Sequence, residues 1–305
     1  MNNFDEKLLE AAGRQNGYDE VKDLIIEKKA NVNKRDESGS TPLINACFFG
    51  KTDVVKLLLE NGADSNLSNN VGNSPLHWTA IAANERNSKE CLDIMNILLE
   101  FNADIDAKNE TGSTSLMQCV RDFCVFDFLI QRGANVNIRD EQGRNVLFLA
   151  TTMHRCVKSV NHLIKFNADR TILAGEYEAS ELMWAANEGL LDIAVVLLTT
   201  LTNEDEKEIR KNFDKMMSLR FGRNPFPKDI RKLVNKVFIR TLSLKYMARA
   251  NFLLNQVNKD NRTPYDIAVI KNHADMIKLL HNKNDIFAKI ISNVKNCLFS
   301  KIIRN

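Results

Sequence analysis

Apolar residues in this chain come in short runs at helical spacing, two runs to a block, and polar turn residues close each block. Residues 39–66, GSTPLINACFFGKTDVVKLLLENGADSN, show the block most fully. Thr41-Pro42-Leu43 opens a short first helix carrying the small residues Ala46 and Cys47. A second helix carries Val54-Val55 and Leu57-Leu58-Leu59, and a Gly-Ala-Asp turn ends the block. The pattern predicts two helices per block, each with one apolar stripe.

The block repeats. Thr41-Pro42-Leu43 returns as Ser74-Pro75-Leu76, Thr114-Ser115-Leu116, Asn145-Val146-Leu147, Ser180-Glu181-Leu182 and Thr263-Pro264-Tyr265, at spacings of 33, 40, 31, 35 and 83. Gly39, Gly72, Gly112 and Gly143 each stand two residues before the opening residue. A hydroxyl followed by proline caps a helix whose first position has no N–H to lose. Glycine supplies the turn conformation that a Cβ hinders. Small first-helix residues let neighbours approach, and since one block cannot enclose its own apolar stripe, blocks must stack.

Residues 4–38 form an opening unit without the Thr-Pro start, with Asp5, Glu6 and Lys7 giving the polar face of an N-terminal cap. Unit 73–112 is seven residues longer than 33, the excess falling in Asn84 to Ser88, and unit 113–143 is two shorter, Arg121-Asp122 running directly into Phe123. In unit 144–177, Asn145-Val146 replaces Thr-Pro, which predicts a weaker cap. The fifth unit begins at Ser180 and ends near Leu198. Thr202 to Asp205 then forms a capping box that opens a charged helix. Asn224-Pro225-Phe226-Pro227 breaks that helix. Residues 228–257 fill the length of one block, either as a degenerate sixth copy or as a separate helical subdomain. The pattern restarts at Thr263-Pro264, with Asn261 replacing glycine. The expected divisions are residues 1–199, an inserted helical segment 200–227, the units of 228–283 and an amphipathic helix over 284–305.

The opening motif, nearly complete in Ser74-Pro75-Leu76-His77-Trp78-Thr79-Ala80, resembles the ankyrin repeat. So do the closings Asn61-Gly62-Ala63-Asp64-Ser65-Asn66, Asn102-Ala103-Asp104-Ile105-Asp106 and Arg132-Gly133-Ala134-Asn135-Val136-Asn137, and Asn272-His273 resembles the family's Gly-His turn. The resemblance covers about four-fifths of the chain. It implies an all-α solenoid of stacked helix-turn-helix units with short projecting turns, acting as a monomeric, non-catalytic scaffold or adaptor that binds another protein. His77 is then expected to hydrogen-bond between adjacent turns. Partner contacts are expected at the turn tips and on the exposed face of the first helices. The tips map to Glu37, Ser38, Ser40, Asn70, Val71, Asn73, Glu110, Thr111, Glu141, Gln142 and Arg144, and the face to Phe48, Phe49, Ile81, Arg121, Asp122 and Met153. The adjacent aromatics Phe48 and Phe49 read either as a binding hot spot or as ordinary packing between units.

Composition adds little to this and charge adds one alternative. With 44% hydrophobic and 27% charged residues the chain is foldable. The polar, acidic start is unlike a secretory signal and no window reaches eighteen uncharged apolar residues, so a cytoplasmic location is expected and integral membrane insertion is not. The scattered cysteines lack a CxxC pair and read better as reduced, buried thiols than as disulfides or a metal site. The five histidines show no HxxxH or HExxH spacing, and no Gly-rich phosphate loop is present, so neither a cofactor nor enzymatic activity is expected. Residues 1–209 carry 21 Lys and Arg against 33 Asp and Glu, whereas 210–249 carry 12 against 2. That basic stretch offers the second reading, a binder of an acidic ligand, nucleic acid or an anionic membrane surface. Thin aromatic interleaving disfavours nucleic acid, while peripheral membrane contact stays open. The C-terminal stretch Ile286 to Ile302 reads as a cap on the last unit or as an interfacial helix.

Overall fold

The structure is a computed structural model, and it describes residues 3–84, 87–174, 178–205, 207 and 248–302. It divides into two compact units, Met1–Glu141 and Gln142–Asn305. Each is a set of antiparallel helix pairs. The extended stretches between pairs add only an isolated bridge, Ala174 with Ala179.

The first unit holds four pairs: α1 (Asn3–Ala11) with α2 (Tyr18–Ile26), α3 (Pro42–Phe48) with α4 (Thr52–Glu60), α5 (Pro75–Ala82) with α6 (Ser88–Glu100), and α7 (Ser115–Gln118) with α8 (Phe123–Gln131). First helices pack on first helices and second on second. The leucine of every opening motif, Leu43, Leu76 and Leu116, is fully enclosed, as is Leu8 of the opening unit. Ala11, Ala46, Cys47 and Ala80 are buried where neighbouring first helices meet. Thr41 and Ser74 cap their helices through Ile44 and His77 N–H. The extra length of the third pair is only partly loop: α6 has 13 residues against 9 in α4, so much of the excess is helical.

Adjacent pairs are joined at both ends by polar contacts. At the projecting tips, Asn70 N–H donates to Ser38 O (2.9 Å), Glu110 N–H to Val71 O (3.1 Å) and Glu141 N–H to Thr111 O (3.1 Å). These tips require glycine for two reasons. Gly72 and Gly112 have φ of 76° and 74°, and a Cβ on either would lie 2.6 and 2.9 Å from the next tip's backbone nitrogen. At the closing turns, Asp64 N–H donates to Asn33 Oδ1 (2.9 Å), Asp104 N–H to Asn66 Oδ1 (2.7 Å) and Asn135 N–H to Asp106 Oδ1 (2.9 Å).

His77 bridges two turns. Ser74 N–H donates to its Nδ1 (3.3 Å), which leaves the ring proton on Nε2 to be donated to Ser113 O (2.9 Å). Burial pushes its pKa below the ordinary histidine value, opposed by the Ser113 carbonyl and by Asp104. The neutral ring is therefore the one that fits.

The second unit holds α9 (Val146–Thr152) with α10 (Val157–Lys165), α11 (Glu181–Glu188) with α12 (Leu191–Thr199), α13 (Pro264–Ile270) with α14 (Ala274–His281), and the long α15 (Lys283–Ile302). The cap expected to be weak is well formed. Asn145 is fully enclosed, accepts from Phe148 N–H at 2.9 Å and donates to Asp169 O at 3.0 Å, so its amide both caps the helix and ties it to the following turn. Helix α13 packs directly on α11, and His273 Nε2 lies 2.9 Å from Asn187 O. Among the described residues the α11–α12 pair is thus followed directly by the α13–α14 pair. The expected inserted helix and sixth copy fall mainly on residues 208–247, outside those described. Ile286 and Ile290 of α15 are buried, the helix packs on α12 and α14, and Asn293 donates to Thr199 O at 2.7 Å.

The capping box at Thr202 is present, with Thr202 N–H on Asp205 Oδ2 (2.9 Å) and Asp205 N–H on Thr202 Oγ1 (3.0 Å). Arg249, within the helical residues 248–255, closes on the same carboxylate at 2.8 Å. Beside them Arg170, 7% exposed, donates to Leu197 O (2.8 Å) and Thr200 O (3.3 Å), satisfying the C-terminal end of α12. Burial, with Arg249 nearby, pushes its pKa down to about 10, against the opposing pull of Asp205 and Glu181. Burial also disfavours the charged form of Asp205, but hydrogen bonds from Arg249 and Thr202 outweigh it and hold the pKa below the usual carboxylate range.

Two outcomes are expected. The unfolded chain takes up a proton on His77 before the folded one does, so urea midpoints should fall as pH drops below about 6.5. His77→Ala should flatten that slope and cost about 1–3 kcal/mol at pH 8. Arg249→Ala should cost roughly 1–3 kcal/mol at pH 7, and the difference from the parent chain should shrink as pH falls below about 4 and Asp205 protonates in both. Denaturant titrations across pH check both effects, and a pH-independent difference for Arg249→Ala would contradict the second.

Candidate partner-binding surface

Helix α3 ends in two aromatics that its core does not enclose. Phe48 is its last residue and Phe49 its C-cap, after which Gly50, with φ of 66°, turns the chain away. Phe48 is 41% and Phe49 56% exposed. Their rings meet edge to face at 5.1 Å, and Phe48 meets Trp78 of the next pair at 5.3 Å and 88°. On the other side Phe49 lies over Gly13 of the opening unit, where a Cβ would stand 2.6 Å from the ring. Phe48 and Phe49 at the end of α3 and Trp78 on α5 thus build one aromatic ridge. The rings pack between units, and each keeps a large part of its surface in solvent. Edge-to-face pairs of this kind contribute about 0.5–1.5 kcal/mol beyond burial.

Trp78 itself is half-buried, and its indole Nε1 is enclosed without a hydrogen-bond partner among the described residues. Ile81, on the same helix, is 38% exposed, and Val71 at the adjoining tip 51%. Clusters of exposed aromatic and aliphatic side chains mark interaction sites when they are contiguous.

The remaining expected positions sort by burial. Glu37, Ser38, Asn70, Glu110, Thr111, Arg121 and Glu141 are exposed in the first unit, although Asn70 is tied down by its bond to Glu37 O at 2.9 Å. Ser40, Asn73 and Asp122 are buried and do not belong to an exposed surface. Ser40 and Asn73 form the inner legs of their turns, where Asp36 and Asn69 side chains accept their N–H groups, and Asn109 donates to Asn73 Oδ1 at 2.8 Å. Asp122 is the N-cap of α8, accepting from Cys124 and Val125 N–H and from the Ser88 hydroxyl. The shortened connection places it there. Gln142, Arg144 and Met153 lie in the second unit, where Met153 is 63% exposed, Gln142 exposed and Arg144 half-buried.

Trp78, Trp184 and Gly13 were absent from the residues the motifs singled out. The signal existed: Trp78 and Trp184 each follow their capping serine, Ser74 and Ser180, by four residues. Trp184 likewise meets a phenylalanine of the preceding pair, Phe148, edge to face at 6.3 Å, over Ile172 and Ala174.

Among the described residues no group of three or more His, Cys, Asp or Glu is placed to hold a metal ion. No described helix is long and apolar enough to cross a membrane. Burial pushes the Cys47 thiol up to about 12 and Cys91 to about 11, and Cys119 higher still, so these buried thiols stay protonated and unreactive. The basic stretch 210–249 lies outside the described residues except for its end, where Arg249 is engaged by Asp205.

Paired helices stacked through their turns, with side chains displayed along the first-helix edge, define a helical repeat protein. The family model described as ankyrin repeats (3 copies) matches residues 8–109 and 79–174, more than half of the chain, and the chain belongs to that family. Neurogenic locus notch homolog protein 1 of Xenopus laevis is 32% identical over 163 residues, 52% of this chain and 6% of that protein. Its human counterpart is 31% identical over 153 residues, covering 49% and 6%. Human BCL-6 corepressor-like protein 1 is 32% identical over 143 residues, covering 47% and 7%. The chain therefore spans less than a tenth of the length of these relatives. Ankyrin repeats are in general protein–protein interaction modules and in general non-catalytic.

Proposed function

We propose that this chain is a non-catalytic scaffold or adaptor that captures a protein partner on the ridge formed by Phe48, Phe49 and Trp78. The carrying observation is the exposure of Phe48 and Phe49, 41% and 56%, which leaves much of both rings in solvent beyond what packing between units covers. Val71 and Ile81 extend the apolar surface, and Glu37, Ser38, Glu110, Thr111 and Arg121 give it a polar rim. Rigid aromatic anchors within a polar rim are the arrangement found at interface hot spots. The burial of Ile286 and Ile290 supports a capping role for the C-terminal helix within the same scaffold.

Crosslinking with mass spectrometry in the native cell identifies the partner, and purified partner then allows titration. Phe48→Ala combined with Phe49→Ala should weaken binding at least tenfold, since anchors of this type contribute ~2 kcal/mol or more each. Stability should change far less than for Leu43→Ala, a core truncation expected to cost about 2–5 kcal/mol. Undiminished binding by the double variant, or a stability loss as large as that of Leu43→Ala, would assign the two rings to packing alone.

A further inference from the structure

The second unit carries another concavity, of about 310 Å³, between α11, α13 and the turn over residues 258–262. Its apolar wall is Trp184, Ile267 and Ile270, and its rim is Asp260, Arg262 and Lys271. Ile270 closes α13 with 59% of its surface in solvent, although nothing in the fold calls for a large aliphatic group there.

The walls are fixed rather than pliable. Gly189 has φ of 69°, and a Cβ on it would lie 2.8 Å from the His273 ring, so the end of α11 and the start of α14 meet closely. The rim turn is held by Asn258, whose Oδ1 accepts Asp260 N–H (3.0 Å) and Arg262 N–H (2.9 Å). A recess on such supports is preorganised for a ligand.

Its charge selects the occupant. Arg262 and Asp260 lie 3.7 Å apart, with 51% and 44% of their side chains exposed, a loose surface pair that leaves Arg262 able to contact a second carboxylate. Lys271 makes no ion pair among the described residues. Glu188, the nearest acidic residue on α11, is engaged by Arg155 at 2.6 Å. The rim is thus net positive around an apolar floor. The volume lies at the small end of ligand sites, which run to about 300–1,000 Å³, and suits one bulky side chain.

We infer that this recess is a second, separate docking site, taking one bulky apolar side chain of a peptide segment that is flanked by aspartate or glutamate. The inference rests on the protein-binding reading but uses a different surface from the Phe48 ridge. Carboxylates on either side of the anchor meet Arg262 and Lys271 while the anchor ring or aliphatic group covers Trp184 and Ile270.

The test uses the full chain carrying Trp78→Phe, so that emission reports Trp184 alone. Three capped pentapeptides are titrated: one phenylalanine flanked by two glutamates on each side, the same with lysines for glutamates, and the glutamate peptide with alanine for phenylalanine. The glutamate–phenylalanine peptide should perturb Trp184 emission and bind at least about tenfold tighter than either relative, with a Kd near or below about 1 mM. Lys271→Glu and Ile270→Ser, both at exposed positions, should each weaken it at least fivefold with unchanged thermal unfolding, whereas Phe48→Ala with Phe49→Ala should leave it unchanged. Equal or tighter binding of the lysine peptide, no binding of any peptide, or indifference to Lys271→Glu and Ile270→Ser overturns the inference. Loss of partner capture in the Phe48 and Phe49 variant would survive such a failure, so the two readings fail separately.

Discussion

Each helix pair of the first unit is tied to its neighbour through the backbone groups of its turns, and the stack is built on those joints. At the closing turns a backbone N–H donates to the preceding pair, through Asn33, Asn66 and Asp106 in succession. The tips repeat the dependence with backbone carbonyls, and His77 adds a side-chain bridge to Ser113 O. The closing-turn bonds face solvent and contribute modestly one by one, but they recur at successive joints and the His77 bridge is buried, so these polar joints set the spacing and orientation of successive pairs together with the leucine core. It also explains where length varies. The joints sit at the turns, so extra residues can enter between the two helices of a pair, as they do before and within α6, without moving either joint.

That same division decides what could be read from the sequence. Caps, glycine turns and the box at Thr202 are local chemistry, dependent on residues within a few positions and legible for that reason, whereas the reach of His77 to Ser113 O, 36 positions on, was legible only through the motif's resemblance. Burial of Ser40 and Asn73 was not, because a turn tip has an outer and an inner leg and motif alignment does not say which leg faces the next unit. Asp122 failed for another reason. Deleting two residues from a connection turned a face position into the cap of α8, and a carboxylate at an N-terminus satisfies two N–H groups that would otherwise be orphaned. Direct packing of α13 on α11 was beyond sequence reasoning, since it joins helices more than 70 residues apart and no local motif records such a contact.

Trp78 and Trp184 show how one repeat position yields two different surfaces. Four residues after the capping serine, a side chain points toward the preceding pair, as Asn45 does in reaching Leu9 O at 3.0 Å. A tryptophan there is too large to be covered completely and needs a ring to lean on. In the first unit that ring is Phe48, itself half in solvent, so the outcome is a projecting ridge. In the second it is Phe148, which is only 4% exposed, so Trp184 sinks toward Ile172 and Ala174 and leaves a recess in front of it.

The recess has a further dependence. It depends on α13 lying on α11, and between those two helices the chain is pinned by a salt bridge between Asp205 and Arg249, 44 positions apart in sequence. Asp205 and Arg170 are both buried charges, and neither would be tolerated alone: Arg170 is stabilised by two carbonyls of α12 and by the field of Asp205, and Asp205 by Arg249 and Thr202. An apolar contact could have joined these segments at lower desolvation cost. What the charged set adds is direction, because the carboxylate accepts the guanidinium only when the helix bearing Arg249 sits over the start of the Thr202 helix. In physical terms the polar cluster fixes where the chain rejoins the stack, and the hydrophobic packing of α13, with the recess it creates, follows from that registration.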